Sequence, residues 1–589
     1  MEFARGNRFL GLAWDVEAAD AAALVLSRLR RVTQGWSQAD RAGTLLCCEL
    51  EECWASAGDS ALCLGSPRVV ETGAARAHDP AALLERIGCA GVAGLPGLAP
   101  PFSLAWSSER AGGVEAAADP FGIGQLFYVA VGGVAGVSNS AALLAGAFDC
   151  GLDAQALAGF ALFGAFQEGD TPFAGVEKLP AGSALRLFAG RCEIADGPPE
   201  RGGGAGGSGA NIAAIADLVR ATATRLSDAI PDADLQLSGG LDSRLILAAL
   251  PAERRRRHRV VTIGGSASPD VRIARAIASR LGLRHEVIDT GSVERLGAQD
   301  LHDTLQAAVH GYDFASNPID KVSLMLANRR MGGGGCFNGQ NGEILRGFYF
   351  PGQPLARRPD ESLAQGLIRM RLEANDRVDP SLFPPERYRE SRSRAEARAV
   401  RRLVSLGATW SDALDRFYLY ERMQRWAGNG LSNFLSDRVY LCPFLDPDFV
   451  AASLAVPARA RSNSRAAFEL LAALDPELAA IPLDSGLRPS LVVEAPLRAR
   501  LAEAGYIVDK AVARLKRSLK GGGRATLGSA TVAQLWHRHR LFERLPGDRL
   551  LATGLFEPTA LDALLTGRLL PDRPTLGFLL MMAELVRRE

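Results

Sequence analysis

The run Ser238-Gly239-Gly240-Leu241-Asp242-Ser243 has the residue types and spacing of an anion-binding loop. It lies between a short apolar segment at 234–237 and another at 245–250 that starts a helix. A strand-to-helix junction presents unpaired backbone N–H groups and the positive end of the helix dipole at one spot. Gly239 and Gly240 let the backbone turn tightly and approach an anion without an intervening Cβ. Ser238 and Ser243 add hydroxyl donors. Asp242 would repel a bare phosphate, so its presence calls for a Mg²⁺ ion between the two. The same residues also fit a plain serine-glycine turn with Asp242 in the first turn of a helix. No Gly-Lys dipeptide occurs anywhere in the chain. A Walker A loop is therefore absent, and this loop is not built to hold a γ-phosphate for transfer.

The pattern around the loop is α/β. A helix is predicted over 212–227, strands over 234–237, 260–263 and 286–288, and a helix over 271–281. Strands separated by single helices imply a parallel, doubly wound sheet. Beyond about 385 the chain reads as mostly helical. Before the linker it reads as short strands and helices. The segment 9–14 is strand-like, 102–106 alternates as a half-buried strand does, 126–131 is a further strand, and 141–148 is a small-residue helix. Residues 197–209, Gly-Pro-Pro-Glu-Arg-Gly-Gly-Gly-Ala-Gly-Gly-Ser-Gly, cannot form a core and read as a linker. They match GxGxxG twice, at Gly202, Gly204, Gly207 and at Gly204, Gly206, Gly209. No strand precedes the run, so a dinucleotide site is not read there. The expected division is 1–196, a linker at 197–210, and 211–589.

Composition narrows the class. A chain of 589 residues with 47% apolar and 23% charged residues is an ordinary globular protein of more than one domain. The formal net charge of +1 argues against nucleic acid as the main partner. The nine cysteines include no CxxC pair, and Cys47, Cys48 and Cys53 have no histidine cluster beside them, so no zinc site is expected. Their scatter fits a reducing cytoplasm. Residues 122–148 carry no charge but contain Gln125, a Gly132-Gly133 pair and Ser138-Asn139-Ser140, which break up any membrane helix. No membrane partner is expected.

With these residues in view, the loop resembles the pyrophosphate loop (PP-loop) of enzymes that cleave ATP between its α and β phosphates. More of the chain resembles the class B asparagine synthetases and their relatives. Ser268-Pro269-Asp270, Leu281-Gly282 and His285 resemble the unit over the adenosine, which places Ile263 and Gly264 at the nucleotide. Phe337-Asn338-Gly339-Gln340-Asn341-Gly342-Glu343 resembles the second phosphate-side loop, where Glu343 falls at the acidic position that shares the metal with Asp242. Pro443-Phe444-Leu445-Asp446 matches a further motif. Asp119-Pro120-Phe121-Gly122, Leu126-Phe127-Tyr128, Ser138-Asn139-Ser140 and residues 175–182 follow the family's glutaminase-like domain in order. The resemblance implies an α+β N-terminal glutaminase-like (Ntn-type) sandwich, then an α/β PP-loop ATP-pyrophosphatase domain with a parallel sheet and a helical C-terminal part. It implies ATP and Mg²⁺ as cofactors.

Three features depart from the family. Position 2 is Glu2, and the first cysteine is Cys47. Glutamate cannot serve as a thiolate nucleophile, so glutaminase activity is not expected. Gln340 stands where asparagine synthetases carry a glutamate and β-lactam synthetases a tyrosine, and it cannot act as a base near neutral pH. No lysine occupies 481–489, where the family places a pyrophosphate-binding lysine, leaving Arg488 as the candidate there. Residues 341–349 look most like lasso peptide macrolactam synthetases and a heterogeneous set from secondary-metabolite and polysaccharide clusters. The lasso reading makes the substrate a precursor (core) peptide. A leader-peptide protease and a leader-binding protein would then be partners. An Asp or Glu side chain would be adenylated, and the peptide's own N-terminal amine would attack it. Such intramolecularity is worth ~7–11 kcal/mol in ideal cases. The alternatives are another glutaminase-deficient amide ligase, of the β-lactam synthetase or cluster type, and a non-catalytic peptide-binding relative. Arg422 and Arg425, spaced to share a helix face, stand either for anion binding or for a surface ion-pair face. Ser432 and Asn433 follow them. His285 reads as structural, His537 and His539 carry no assigned role, and the basic stretch 510–524 reads as a solvated helix end.

Overall fold

A computed structural model describes residues 6–588 apart from 42, 74, 109–111, 196–210, 267, 332–333, 433, 436–437, 484–485 and 495–527. The linker, the basic stretch 510–524, Glu2 and Asn433 thus lie outside the described residues.

Alternating apolar residues in the first 195 residues build two antiparallel six-stranded sheets. One runs in the spatial order Glu177–Lys178, Phe127–Val131, Val134–Ser138, Phe9–Trp14, Thr44–Cys48, Ser37–Arg41. The other runs Arg191–Ala195, Ala184–Phe188, Gly113–Ala118, Ser103–Ser108, Ser60–Leu64, Trp54–Ala57. Period-two geometry sends Phe9 and Ala13 into the core between the sheets with Leu46, Ala105 and Leu187. Leu10 and Leu12 face the opposite way, toward Val25, Leu144 and Leu157 on the helices Ala19–Leu29, Ala141–Phe148 and Ala154–Phe163. On the far face, Leu83, Leu84 and Ile87 of helix Pro80–Ala90 cover Leu62, Leu64 and Trp106. The strand expected to be half-buried at 102–106 is therefore buried on both sides, since Leu104 and Trp106 lie under that helix while Ala105 faces the other sheet. The uncharged stretch 122–148 resolves into two strands and a helix. No helix among the described residues is long and apolar enough to cross a membrane.

The second unit holds a parallel sheet in the order His285–Ile288, Val260–Ile263, Asp234–Gln236, Gly334–Phe337, Arg438–Leu441. Each adjacent pair is in parallel register, for example Leu235 opposite Val260 and Leu235 opposite Phe337. The chain leaves Asp234–Gln236 toward one edge and returns to its other side. The crevice at the strand C-termini between Asp234–Gln236 and Gly334–Phe337 is thus the switch point where such sheets take ligands. Two helices, not one, cross between the first strands. Asp242–Ala249 begins on the loop itself, three residues before the segment read as its start, and Ala252–Arg257 follows. Helix Pro269–Leu281 ends at Gly282, whose φ of 63° suits glycine. From Pro385 onward the described chain is mostly helical. The last helix, Arg573–Arg588, places Phe578, Met581 and Leu585 in the same apolar cluster as Leu12 and Leu157 of the sandwich.

One buried ion pair fastens the helical region to the crevice. Arg461 meets Asp415 in a bidentate pair at 3.0 and 2.7 Å, with side chains 3% and 5% exposed, and also donates to the Ile344 carbonyl at 3.2 Å. Removing one partner of such a pair leaves a buried uncompensated charge, a loss of about 3–5 kcal/mol. We expect Asp415→Ala to lower the unfolding free energy extrapolated from urea titration by an amount in that range, with a lower midpoint, and the double change Asp415→Leu with Arg461→Met to recover most of it. Equal midpoints for wild type and Asp415→Ala would show that the pair does not hold this region.

Candidate functional site

The loop after the first strand and the loop after the fourth meet at the switch point. Ser243 Oγ accepts from the Ser238 N–H at 3.0 Å and lies 3.1 Å from Ser238 Oγ, which also accepts from the Gly240 N–H at 3.1 Å. These bonds fold the loop into a ring. The Gly239 N–H points to Asp270 Oδ1 at 2.8 Å, so a carboxylate already occupies one of the donors that an anion would use. Arg244, fully buried, supports the loop from below. It donates to the carbonyls of Ile481 at 2.5 Å, Pro482 at 3.0 Å and Gly239 at 3.4 Å. Neither Gly239 nor Gly240 needs a positive φ. Space at Gly239 is tight, because a Cβ there would lie 3.0 Å from Ile273 and 3.1 Å from Asp270.

The facing loop comes equally close. A Cβ on Gly342 would stand 2.7 Å from Asp242 Oδ1, and one on Gly339 would stand 3.1 Å from Asp242 Cβ. Asn341, buried with φ 71°, anchors the turn by donating to the Phe444 carbonyl at 2.6 Å. That contact ties the Pro443-Phe444-Leu445-Asp446 motif to the site, while Asp446 itself caps helix Pro447–Ala455. The result is a carboxylate pair, Asp242 and Glu343, bridged by one guanidinium. Arg346 Nη2 lies 2.6 Å from Asp242 Oδ2 and 3.4 Å from Glu343 Oε1. The Tyr418 hydroxyl donates to Glu343 Oε2 at 3.2 Å. Asp242 Oδ1 is buried and has no hydrogen-bond partner. Burial raises the Asp242 carboxyl to about 6; Arg346 opposes this and Glu343 adds to it.

Asp242 and Glu343 thus meet as the sequence implies, with Ser238, Gly239, Gly240 and Ser243 beside them. Ile263 ends its strand one position over, and the Gly264 N–H donates to the Ile288 carbonyl. Gln340 is half-buried, its N–H held by Asn338 Oδ1 at 2.9 Å. Arg488 is exposed, and its carbonyl accepts from Leu491. His285 lies 2.9 Å from Thr262 Oγ1, a structural contact inside the sheet. Arg422 and Arg425 do not share a face, because Tyr418–Ala427 is a π-helix rather than an α-helix. Arg425 is buried and donates to the Phe166 and Asp170 carbonyls, with no part in a surface face. The Arg422 guanidinium lies between the rings of Phe348 at 4.2 Å and Trp426 at 4.4 Å. Sequence reasoning missed the roles of Arg346 and Tyr418, and it placed Asp270 in the adenosine unit without its contact to the Gly239 N–H. Arg346 carried a signal, an i+3 spacing from Glu343, whereas Tyr418 lies 75 residues from its partner.

Cys47, Cys53 and Cys63 are buried in the strands or beside them, and burial pushes each thiol far up. The cavity bordered by Asn7, Ser103, Gln125 and Asn139 measures only about 50 Å³.

Residues 215–471 match the asparagine synthase family, and the matched span contains both loops. The match supports an asparagine synthetase-like, ATP-dependent amide ligase whose α/β part is a PP-loop domain. No curated protein matches the chain.

The raised Asp242 carboxyl sets a sign for stability. Its protonated form is favoured by the fold, so that contribution is present below the usual carboxylate range and is lost as pH rises through about 6. Above pH 6 the ionised side chain costs stability. Asp242→Asn should therefore melt higher than wild type at pH 7.5 without nucleotide or metal, and the gap should close as pH falls below 6. A variant that melts lower at pH 7.5 would show that ionised Asp242 stabilises the fold through Arg346.

Proposed function

We propose that this chain activates a carboxylate as an acyl-adenylate at the switch point and joins it to an amine, releasing AMP and pyrophosphate. The observation that carries this reading is the Asp242–Glu343 pair, with one buried, unpartnered oxygen aimed into the glycine-lined gap between the two loops. Two carboxylates fit Mg²⁺, which is held by one or two carboxylates with phosphates and water completing its shell. No group of three or more His, Cys, Asp or Glu side chains among the described residues offers a closed metal cage. When bound, Mg²⁺ would neutralise the phosphates beside Asp242 and Glu343. The chain's own contributions are the N–H groups and hydroxyls of the 238–243 loop, the packing of Ile263 and Gly264 beside the nucleotide, and the Arg346 charge. Gln340 cannot take a proton, so the attacking amine's proton goes to Glu343 or to the departing AMP phosphate. The sandwich would be the Ntn-type, glutaminase-like unit without its nucleophile.

The substrate we favour is a precursor peptide whose Asp or Glu side chain closes a macrolactam ring with its N-terminal amine in a cytoplasmic setting. The likeness of residues 341–349 to lasso macrolactam synthetases supports this. Arg422 supports a second reading, an amide ligase acting on a smaller acid. Its guanidinium, held between two rings, has no carboxylate partner among the described residues and suits a second, unactivated carboxylate.

Radiolabelled ATP, Mg²⁺ and Asp- or Glu-containing peptides with free N-termini test the proposal. AMP should form, and a ring-closed peptide should lose the mass of one water; ADP would contradict the assignment. Asp242→Asn and Glu343→Gln should each lower AMP formation ~10²-fold or more. The double variant should fall little further, since both damage one unit. Wild-type rates in a folded Asp242→Asn protein would remove the metal assignment.

A further inference from the structure

Away from the loops, the described residues enclose a cavity of about 290 Å³. Its walls come from three distant parts of the chain: Leu157 and Ala158 on helix Ala154–Phe163, Tyr388 on helix Pro385–Ser405, and Leu555 and Phe578 from the C-terminal part. Phe383 completes the apolar wall, stacked on Tyr388 at 6.0 Å and tilted against Phe578 at 5.9 Å.

Polar side chains interrupt the apolar lining, among them Gln155, Ser391 and the carboxylate of Glu390. The Tyr388 hydroxyl is buried and has no hydrogen-bond partner, which is costly to leave unmade. Three arginines also line the cavity. Arg392 pairs with Glu396 and Glu373, and Arg394 pairs with Glu390. Arg387 donates to the Gly554 carbonyl, and no carboxylate among the described residues pairs with it. Arg387 is exposed, so it marks the solvent end of the cavity.

We infer that this cavity binds a small amphipathic monocarboxylate, its chain among Leu157, Ala158, Leu555 and Phe578 and its carboxylate toward Arg387. An apolar cavity of 150 Å³ accepts benzene, so this one accepts roughly a dozen heavy atoms, the size of octanoate or decanoate. The charge selects the class. An alcohol of the same length would lose the guanidinium contact, and an alkylammonium would be repelled. The site is independent of the ATP loop and does not rest on the reaction proposed above.

Calorimetric titration of the full chain with decanoate, decanol and decylammonium tests this. Decanoate should bind once per chain, up to about fivefold tighter than decanol, the range of an ion contact at an exposed guanidinium, and decylammonium should bind more weakly than decanol. Ala158→Phe fills the cavity and should abolish binding of both neutral and anionic probes. Arg387→Gln should remove the preference for decanoate while leaving decanol binding unchanged. Absence of decanoate binding to the wild type overturns the inference. Equal affinity for decanol and decanoate, or undiminished decanoate binding by Arg387→Gln, overturns the assigned class even if Ala158→Phe fails to fold.

Discussion

Two like charges, Asp242 and Glu343, approach each other at the mouth of a parallel sheet, and much of the surrounding structure serves to make that possible. Repulsion between them is offset by Arg346, which reaches both, and by the Tyr418 hydroxyl on Glu343. Their backbones approach because Gly339 and Gly342 carry no Cβ that would strike Asp242. Burial still raises the Asp242 carboxyl to about 6, so ionising it costs the fold stability.

The scaffold follows from this requirement. Loops after neighbouring strands converge only where strand order reverses, and here the reversal falls between Asp234–Gln236 and Gly334–Phe337. Arg244 beneath the first loop and Asn341 with Phe444 beneath the second fix the two loops independently. Arg461 and Asp415 then lock the helical region to the Ile344 carbonyl, two residues from Gly342. The π-helix Tyr418–Ala427 divides its side chains. Tyr418 serves Glu343, while Arg425 reaches the Phe166 and Asp170 carbonyls of the sandwich. This irregular helix is thus one of the links between the sandwich and the crevice.

Much of this was legible in the residues. The Ser238–Ser243 loop stood out because glycine, serine and one acid fall together at a strand–helix junction, and Glu343 came with its glycines on both sides. The strands at 9–14 and 260–263 emerged with the expected bounds, because a run of apolar, β-favouring residues ends at polar or glycine neighbours. What the sequence hid is of a different physical kind. The double-sided burial of Leu104 and Ala105 depends on helix Pro80–Ala90 lying across the sheet, a tertiary fact with no local signature. The 422/425 spacing was read with the α-helical period, and a π-helix breaks that inference. Tyr418 reaches Glu343 across the fold, and nothing in its neighbours marks it. Arg425 is arginine by composition but behaves as an internal strut.

The central claim is that Asp242 and Glu343 together hold a divalent cation against a nucleotide, and Mn²⁺ paramagnetic resonance tests it without needing the acid substrate. With wild-type protein and a non-hydrolysable α,β-methylene ATP, free Mn²⁺ signal should fall below the level set by the nucleotide alone, as one further ion per chain is taken up. Asp242→Asn and Glu343→Gln, both shown to be folded, should each return the signal to the nucleotide-only level. Undiminished Mn²⁺ uptake by either variant would contradict a shared metal and, with it, the reading of this crevice as the place where ATP is cleaved.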